Sequence, residues 1–393
     1  MNQYADGNRR ANFAETLQER LGRPTIPSLN GFRALAVLAV IAYHAETGFV
    51  GFRAGSGVML FFVISGFLIT WLLLKETDRY GDVSITNFYI RRALRIFPAF
   101  YCFLALLLIL MWATSMPVAW SHALSAALYV SNYYHAVSSA TVEHLEHTWS
   151  LGVEEQFYLL WPTIFAPLRH NLPRLTRVLL SCIALVWIHR ASLAFAGVDD
   201  QYLYRAFDTR ADQLFVGCLL AVALKQGWGM RFWERMCRPL AAVATIALLQ
   251  LSLWLDYNDA PTAFLYRFVV GQAVEPFLLA IVLVQGIMLW DRFLEWRPLR
   301  YLGTISYGMY LYHALALALV RRLTTSEPGI PSTMLGIIAT AALASVSFFL
   351  LERPVLKVKD RLQRPRSRVR SDAGIVPAAT VVTSAPSAAY HRD

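Results

Sequence analysis

Ten times along this sequence a run of mostly apolar residues approaches the roughly 20 that an α-helix needs to cross a hydrocarbon layer. The runs lie at about 32–50, 57–75, 96–114, 151–168, 176–196, 212–227, 239–256, 264–290, 302–320 and 332–351. Backbone in lipid must satisfy its own hydrogen bonds, so such runs read as helices. The pattern predicts an all-α polytopic membrane protein, a single bundle of about ten transmembrane helices. Composition agrees, since 56% of the 393 residues are apolar and 16% charged, against about 45–50% and about 25% in soluble domains. An ordinary soluble fold is excluded.

Lys and Arg number 36 against 26 Asp and Glu, a net charge of +10. A basic balance also marks nucleic-acid binders. Here the basic clusters alternate with the apolar runs, so the charge reads as topology and no nucleic-acid partner is expected. With Arg9, Arg10, Arg20 and Arg23 on the cytoplasmic side, the loops carrying Lys75 and Arg91, Arg169 to Arg177, Arg231 to Arg238 and Arg292 to Arg300 also fall inside. The stretch from Lys357 to Arg370 joins them, so both termini are expected to be cytoplasmic. This holds only if the polar stretch 118–137, with Ser121, His122, Asn132 and His135, does not cross but forms a re-entrant or surface helix on the outer side. Arg321 and Arg322 are exceptions on an outer loop.

The expected organisation is a polar N-terminal segment (1–25) with a short surface helix, a membrane domain (26–356), and a basic, then low-complexity disordered cytoplasmic tail (357–393). The polar first 30 or so residues predict no cleaved signal peptide. The four cysteines lack CxxC spacing, and neither a disulfide framework nor a metal site is expected.

An ionisable group inside a span needs a partner, water or a function. Arg33 and His44, eleven residues apart in the first span, lie within about 20° of one helix face and about 16 Å apart along the axis. The pair reads either as a snorkelling arginine with a satisfied core histidine or as two ends of one site. Arg91, Arg92 and Arg95 open the third span on the cytoplasmic side. Arg92 and Arg95 share a face and repel unless an anion lies between them, and arginine's planar fork suits phosphate; ordinary anchoring to acidic lipid fits them too. Glu154 and Glu155 enter the fourth span from the outer side, at a depth like that of His44. A carboxylate beside a histidine makes a general base, whereas two acids at a helix start also simply cap it. About 100° apart, the two acids are expected to divide, one serving the site and the other pairing elsewhere. Arg190, Arg267 and Glu275 read as structural pairs across helices, and Glu352-Arg-Pro354 as the terminus of the last span.

The ordered set resembles the membrane-bound acyltransferase family 3, polytopic O-acyltransferases, from about Ile26 to Pro354. It comprises Ile26-Pro-Ser-Leu-Asn-Gly-Phe-Arg33 with His44, Leu60-Phe-Phe-Val-Ile-Ser65-Gly66, Arg91-Arg92-Ala-Leu-Arg95-Ile-Phe-Pro98, and His147-Thr-Trp149-Ser-Leu-Gly-Val-Glu154-Glu155-Gln-Phe-Tyr158. Arg210-Ala-Asp212-Gln-Leu, Ser306-Tyr-Gly-Met-Tyr-Leu-Tyr312-His313 and Glu352-Arg-Pro354 complete it. Met59 departs from the family pattern, which often has an acidic residue there. Relatives with a fused hydrolase-like domain need more than the 39 residues that follow Pro354 (393 − 354), so the expectation is the stand-alone type.

The resemblance implies a multi-pass enzyme of the bacterial inner (cytoplasmic) membrane that moves an acyl group, most commonly acetyl, from acyl-CoA to a hydroxyl. The acceptor would be a carbohydrate, a lipid-linked precursor or a glycosylated small molecule. Acyl-CoA would be a co-substrate and no cofactor permanently bound. Arg33, Arg91, Arg92 and Arg95 would hold the donor, and His44 would act as base or acyl relay helped by Glu154 or Glu155. Ser65, Trp149, Tyr312 and His313 would contact substrate. The rival reading is a proton-coupled transporter or flippase, since many spans with buried charges describe those as well; the sequence lacks their inverted repeat.

Overall fold

The computed structural model of the chain describes residues 2–45, 54–115, 119–138, 144–257, 261–324 and 329–362. Among them the regular structure is entirely helical. The helices are α1 (Asn2–Gly22), α2 (Pro27–His44), α3 (Ala54–Tyr80), α4 (Ile85–Ala113), α5 (Trp120–Ala127), α6 (Ser131–Val137), α7 (Thr148–Leu168), α8 (Leu172–Phe195), α9 (Asp200–Arg205) and α10 (Phe207–Lys225). They continue with α11 (Met230–Met236), α12 (Pro239–Tyr257), α13 (Pro261–Leu265), α14 (Gln272–Leu289), α15 (Asp291–Leu294), α16 (Arg297–Thr304), α17 (Ser306–Thr324), α18 (Ile330–Ser347) and α19 (Arg353–Leu362).

The apolar runs of the sequence fall on helix, although 264–290 includes a π-helical segment at Tyr266–Gly271, 302–320 spans α16 and α17, and the end of 32–50 lies outside the described residues. Six helices among the described residues are long and apolar enough to cross a membrane, and up to eight if two bent pairs each count as one span. The bends are 74° between α1 and α2 and 76° between α16 and α17. α7 and α10 also have membrane length, at 21 and 19 residues, but bring polar side chains into the bundle. Large apolar side chains cover the outer faces, as with Leu185, Ile188, Leu240 and Ile338. That distribution inverts the soluble pattern and suits a lipid surround.

The segment 118–137 becomes two short helices, α5 and α6, of 8 and 7 residues, with Tyr129 at positive φ between them. Neither approaches the length of a span. The direction of the long helices agrees. α3 and α7 run parallel, matching Phe62 to Trp149 and Ser65 to Glu154 from one end towards the other. Only α4 among the long helices lies between them in sequence, so a further crossing within 118–137 would have made the pair antiparallel. α2 and α17 are likewise parallel, with Arg33 on Ser306 and His44 on His313.

Close backbone approach holds the centre. A Cβ on Gly66 of α3 would lie 1.9 Å from the Leu214 carbonyl oxygen of α10, and one on Gly217 would lie 2.1 Å from that of Val63. Only glycine lets the two backbones touch there. At the start of α2, Ser28 donates to Glu295 at 2.8 Å, and at its end Arg321 donates to the His44 carbonyl at 2.8 Å. Arg321, out of place in the charge pattern, thus caps a helix C-terminus, where positive charge is favoured.

α1 forms as the expected N-terminal helix and is anchored through buried Leu17 and Leu21 and by Arg20, which donates to the Ile287 carbonyl and pairs with Asp291. The last span does not end at Glu352-Arg-Pro354. A π turn at Phe348–Glu352 carries it into α19, with the Arg353 N–H reaching the Phe348 carbonyl. The widened turn absorbs the proline that would otherwise stop the helix. Most of the predicted disordered tail, from residue 363, lies outside the described residues. Gly66→Ala should force α3 from α10 and cost about 1–3 kcal/mol, read as a lower melting temperature in detergent. Gly22→Ala, with nothing within 4 Å, should leave it unchanged.

Candidate active site

α2, α3, α4, α7 and α17 enclose one cavity, and most of the polar side chains singled out in the sequence meet there. Arg33 enters from α2 with its Nε donating to Ser306 Oγ at 3.1 Å. Arg92 and Arg95, one turn apart on α4, face the same space. The Arg92 guanidinium stacks 4.6 Å over the Tyr158 ring, a contact that orients the cation while leaving its edge N–H groups to a ligand. Glu154 faces these arginines from α7, accepting from Ser65 Oγ at 2.9 Å and from the Tyr158 hydroxyl at 3.3 Å. Glu155 also lines the cavity, so the two acids do not divide as their 100° separation suggested. Three guanidinium groups against two carboxylates leave the wall positive, an arrangement that attracts an anion.

Arg91 is not part of it. Its Nη2 pairs with Glu76 Oε2 at 2.8 Å, which ties α4 to α3, and it is not among the residues that line the cavity. The charge neutralised there is structural.

His44 sits at the far end of α2, and its Nδ1 donates to the Val40 carbonyl at 2.8 Å. A carbonyl only accepts, so in the neutral ring Nδ1 carries the proton and Nε2 offers a lone pair. The orienting group is therefore a backbone carbonyl one turn back, where the sequence suggested a carboxylate. Glu154 is taken up by Ser65 and Tyr158, and the ring facing His44 is that of His313, at a centroid distance of 4.9 Å. His313 is held in the same tautomer, with Nδ1 donating to the Tyr310 carbonyl at 2.6 Å.

A third imidazole, His147, lies 4.9 Å beyond His313, buried, with neither ring nitrogen hydrogen-bonded. Sequence reading quoted His147 but gave it no role. Its position beside the Glu154 motif at the start of α7 was the available signal. Tyr310, equally unassigned, joins the two regions. It lines the arginine cavity, and its hydroxyl donates to the His147 carbonyl at 3.1 Å and lies 2.6 Å from Ser150 Oγ.

Two expected substrate contacts lie elsewhere. The Tyr312 hydroxyl faces Ser347 of α18 at 3.4 Å, and its ring packs on Phe103. Trp149 packs between Phe62 and Tyr204, at centroid distances of 6.2 and 5.1 Å, behind the cavity wall. The other buried charges pair as the sequence suggested, Arg190 with Asp212 at 2.8 Å and Arg267 with Asp256 at 2.5 Å, while Glu275 accepts from Ser252 at 2.8 Å.

Residues 26–351 match the acyltransferase domain family. The chain is 32% identical over 364 residues to the peptidoglycan O-acetyltransferase OatA of Listeria monocytogenes, covering 86% of this chain and 57% of that protein. It is 32% identical over 357 residues to the putative peptidoglycan O-acetyltransferase YrhL of Bacillus subtilis, covering 84% and 55%. With the O-acetyltransferase OatA of Staphylococcus aureus it shares 30% identity over 356 residues, covering 84% and 57%. The chain thus spans little more than half the length of these relatives. No solved structure matches it. With membrane-length helices throughout the matched region, the chain is a multi-pass integral membrane protein and belongs to the acyltransferase family that its motifs resemble.

Proposed function

We propose that this chain is a membrane O-acyltransferase that takes an acyl group, acetyl in the first instance, from acyl-CoA and delivers it to a carbohydrate hydroxyl. The observation that carries this reading is the cationic cavity of Arg33, Arg92 and Arg95, laid along the helix that ends in His44. The donor's phosphates sit at Arg92 and Arg95, and the pantetheine arm follows α2 past Arg33. The thioester reaches His44, whose Nε2 takes the proton of the acceptor hydroxyl as that oxygen attacks the carbonyl. The C–O bond forms, the C–S bond breaks, and the proton passes to the departing thiolate. In the relay version, Nε2 takes the acyl group first and hands it on. His313 supports the ring in either case.

The bundle has ten spans, α2, α3, α4, α7, α8, α10, α12, α14, α17 and α18, with both termini cytoplasmic, in a bacterial inner membrane. The parallel pairs α3 with α7 and α2 with α17 support this count, and the basic loops support its orientation. The relatives named for peptidoglycan support a cell-envelope glycan as acceptor, met on the outer side.

Purified protein in nanodiscs should release CoA thiol from acetyl-CoA when envelope glycan is added. His44→Ala should lose about 10²–10⁴-fold in rate, Arg92→Ala and Arg95→Ala should raise the KM for acetyl-CoA, and Arg91→Ala should leave that KM unchanged. Release that ignores acceptor, or solute flux without release, would count against a transferase. For topology, single cysteines at Ser138 and Arg174 in a cysteine-free background can be probed with an impermeant maleimide. Ser138→Cys should label in intact spheroplasts and Arg174→Cys only after lysis; the reverse pattern overturns the orientation.

A further inference from the structure

A second cationic site lies behind the cavity wall, and the mechanism above does not use it. Arg210, one turn into α10, is 1% exposed and forms no ion pair among the described residues. Three aromatic rings surround its guanidinium, with the Cζ 4.9 Å from the Tyr204 centroid, 5.7 Å from Trp149 and 6.0 Å from Phe62. Ring faces attract the cation but offer no acceptor to its in-plane N–H groups. Nε and Nη2 are both buried without a hydrogen-bond partner. These two nitrogens form one edge of the guanidinium, the edge that takes both oxygens of an oxyanion side by side.

Neither neighbouring carboxylate is paired with Arg210. Asp212, two residues along α10 and so on another face, accepts from Arg190 at 2.8 Å and from Trp187 at 2.9 Å. Glu146 is held by Arg205 at 2.6 Å. Every other buried arginine of the spans has an acid, a hydroxyl or the cavity before it, and Arg210 has an unpartnered edge in an aromatic box.

We propose that this box binds a carboxylate of the acceptor, its two oxygens bridging Nε and Nη2 of Arg210. A carboxylate fits better than a phosphate monoester because one cation balances one negative charge. On the proposed topology Arg210 lies at the outer end of α10, the side of His44, and Phe62 forms a wall common to box and cavity. Tyr204, half-buried where Trp149 and Phe62 are buried, is the most exposed of the three walls. The side of entry rests on the transferase reading, but occupancy of the box does not.

The test is binding to the full chain in neutral-lipid nanodiscs, read as ligand-induced thermal stabilisation, with glucuronate as probe and glucose as its uncharged counterpart. Glucuronate should stabilise the wild type and glucose should not. Arg210→Lys, which keeps the charge and loses the fork, should bind about ten-fold more weakly or worse, and Arg210→Gln should not respond. Should Arg210→Gln fail to fold, Arg210→Lys and Trp149→Phe carry the comparison, both expected to weaken binding. Equal glucuronate binding in these variants overturns the proposal. So does equal stabilisation by inorganic phosphate, which would mean a free-anion site, and stabilisation only in anionic-lipid nanodiscs, which would mean a headgroup site. Absence of thiol release alongside Arg210-dependent glucuronate binding would overturn the transferase reading and leave the box standing.

Discussion

Charge in a low-dielectric interior must be answered, and the arrangement of this bundle follows from how each charge is answered. Placing an arginine at mid-membrane costs about 2.5–3.5 kcal/mol on insertion scales, and an uncompensated one inside protein costs more. Arg190 has Asp212, Arg267 has Asp256 and Arg91 has Glu76, and each pair draws one helix to another. Arg205 likewise has Glu146, but four arginines of the interior are not neutralised this way. Arg33, Arg92 and Arg95 share a cavity that their two carboxylates leave positive, and Arg210 is closed in rings. Structure and site are thus separated by whether a buried cation has its own acid.

The same distinction explains what the sequence could and could not disclose. The spans were legible because lipid permits few alternatives to a 20-residue apolar helix, and the Arg33 to His44 alignment was legible because both residues lie on one helix of fixed pitch. The Arg92 and Arg95 pair followed from the same periodicity. Partners on different helices were not legible. Spacing within α7 could not tell that Glu154 turns to Ser65 of α3, or that the ring beside His44 belongs to α17. Nor could it set Arg91 apart from Arg92, since one residue of rotation separates a structural pair from the cavity. The proline of Glu352-Arg-Pro354 misled for a local reason, because a π turn accommodates what a regular turn would not.

Chain direction carried further. Whether 118–137 crosses is undecided by its composition, mostly apolar but interrupted by six polar residues. Basic-loop asymmetry argued against a crossing, and the pairing of Phe62 with Trp149 and Ser65 with Glu154 supplies an independent argument of a different kind. A parity of crossings is fixed by which helices run side by side in the same sense.

Helix α2 is held at both ends, by Glu295 through Ser28 and by Arg321 through the His44 carbonyl. Fixed in this way, it acts as a ruler. The distance from Arg33 to His44 is set by eleven residues of helical rise, about 16 Å. On the proposed donor path, a molecule anchored by its anionic end near the arginines must carry its reactive atom that far on a slender arm, and a shorter one falls short of the imidazole however tightly its head is gripped. Selection by reach then precedes any selection by shape.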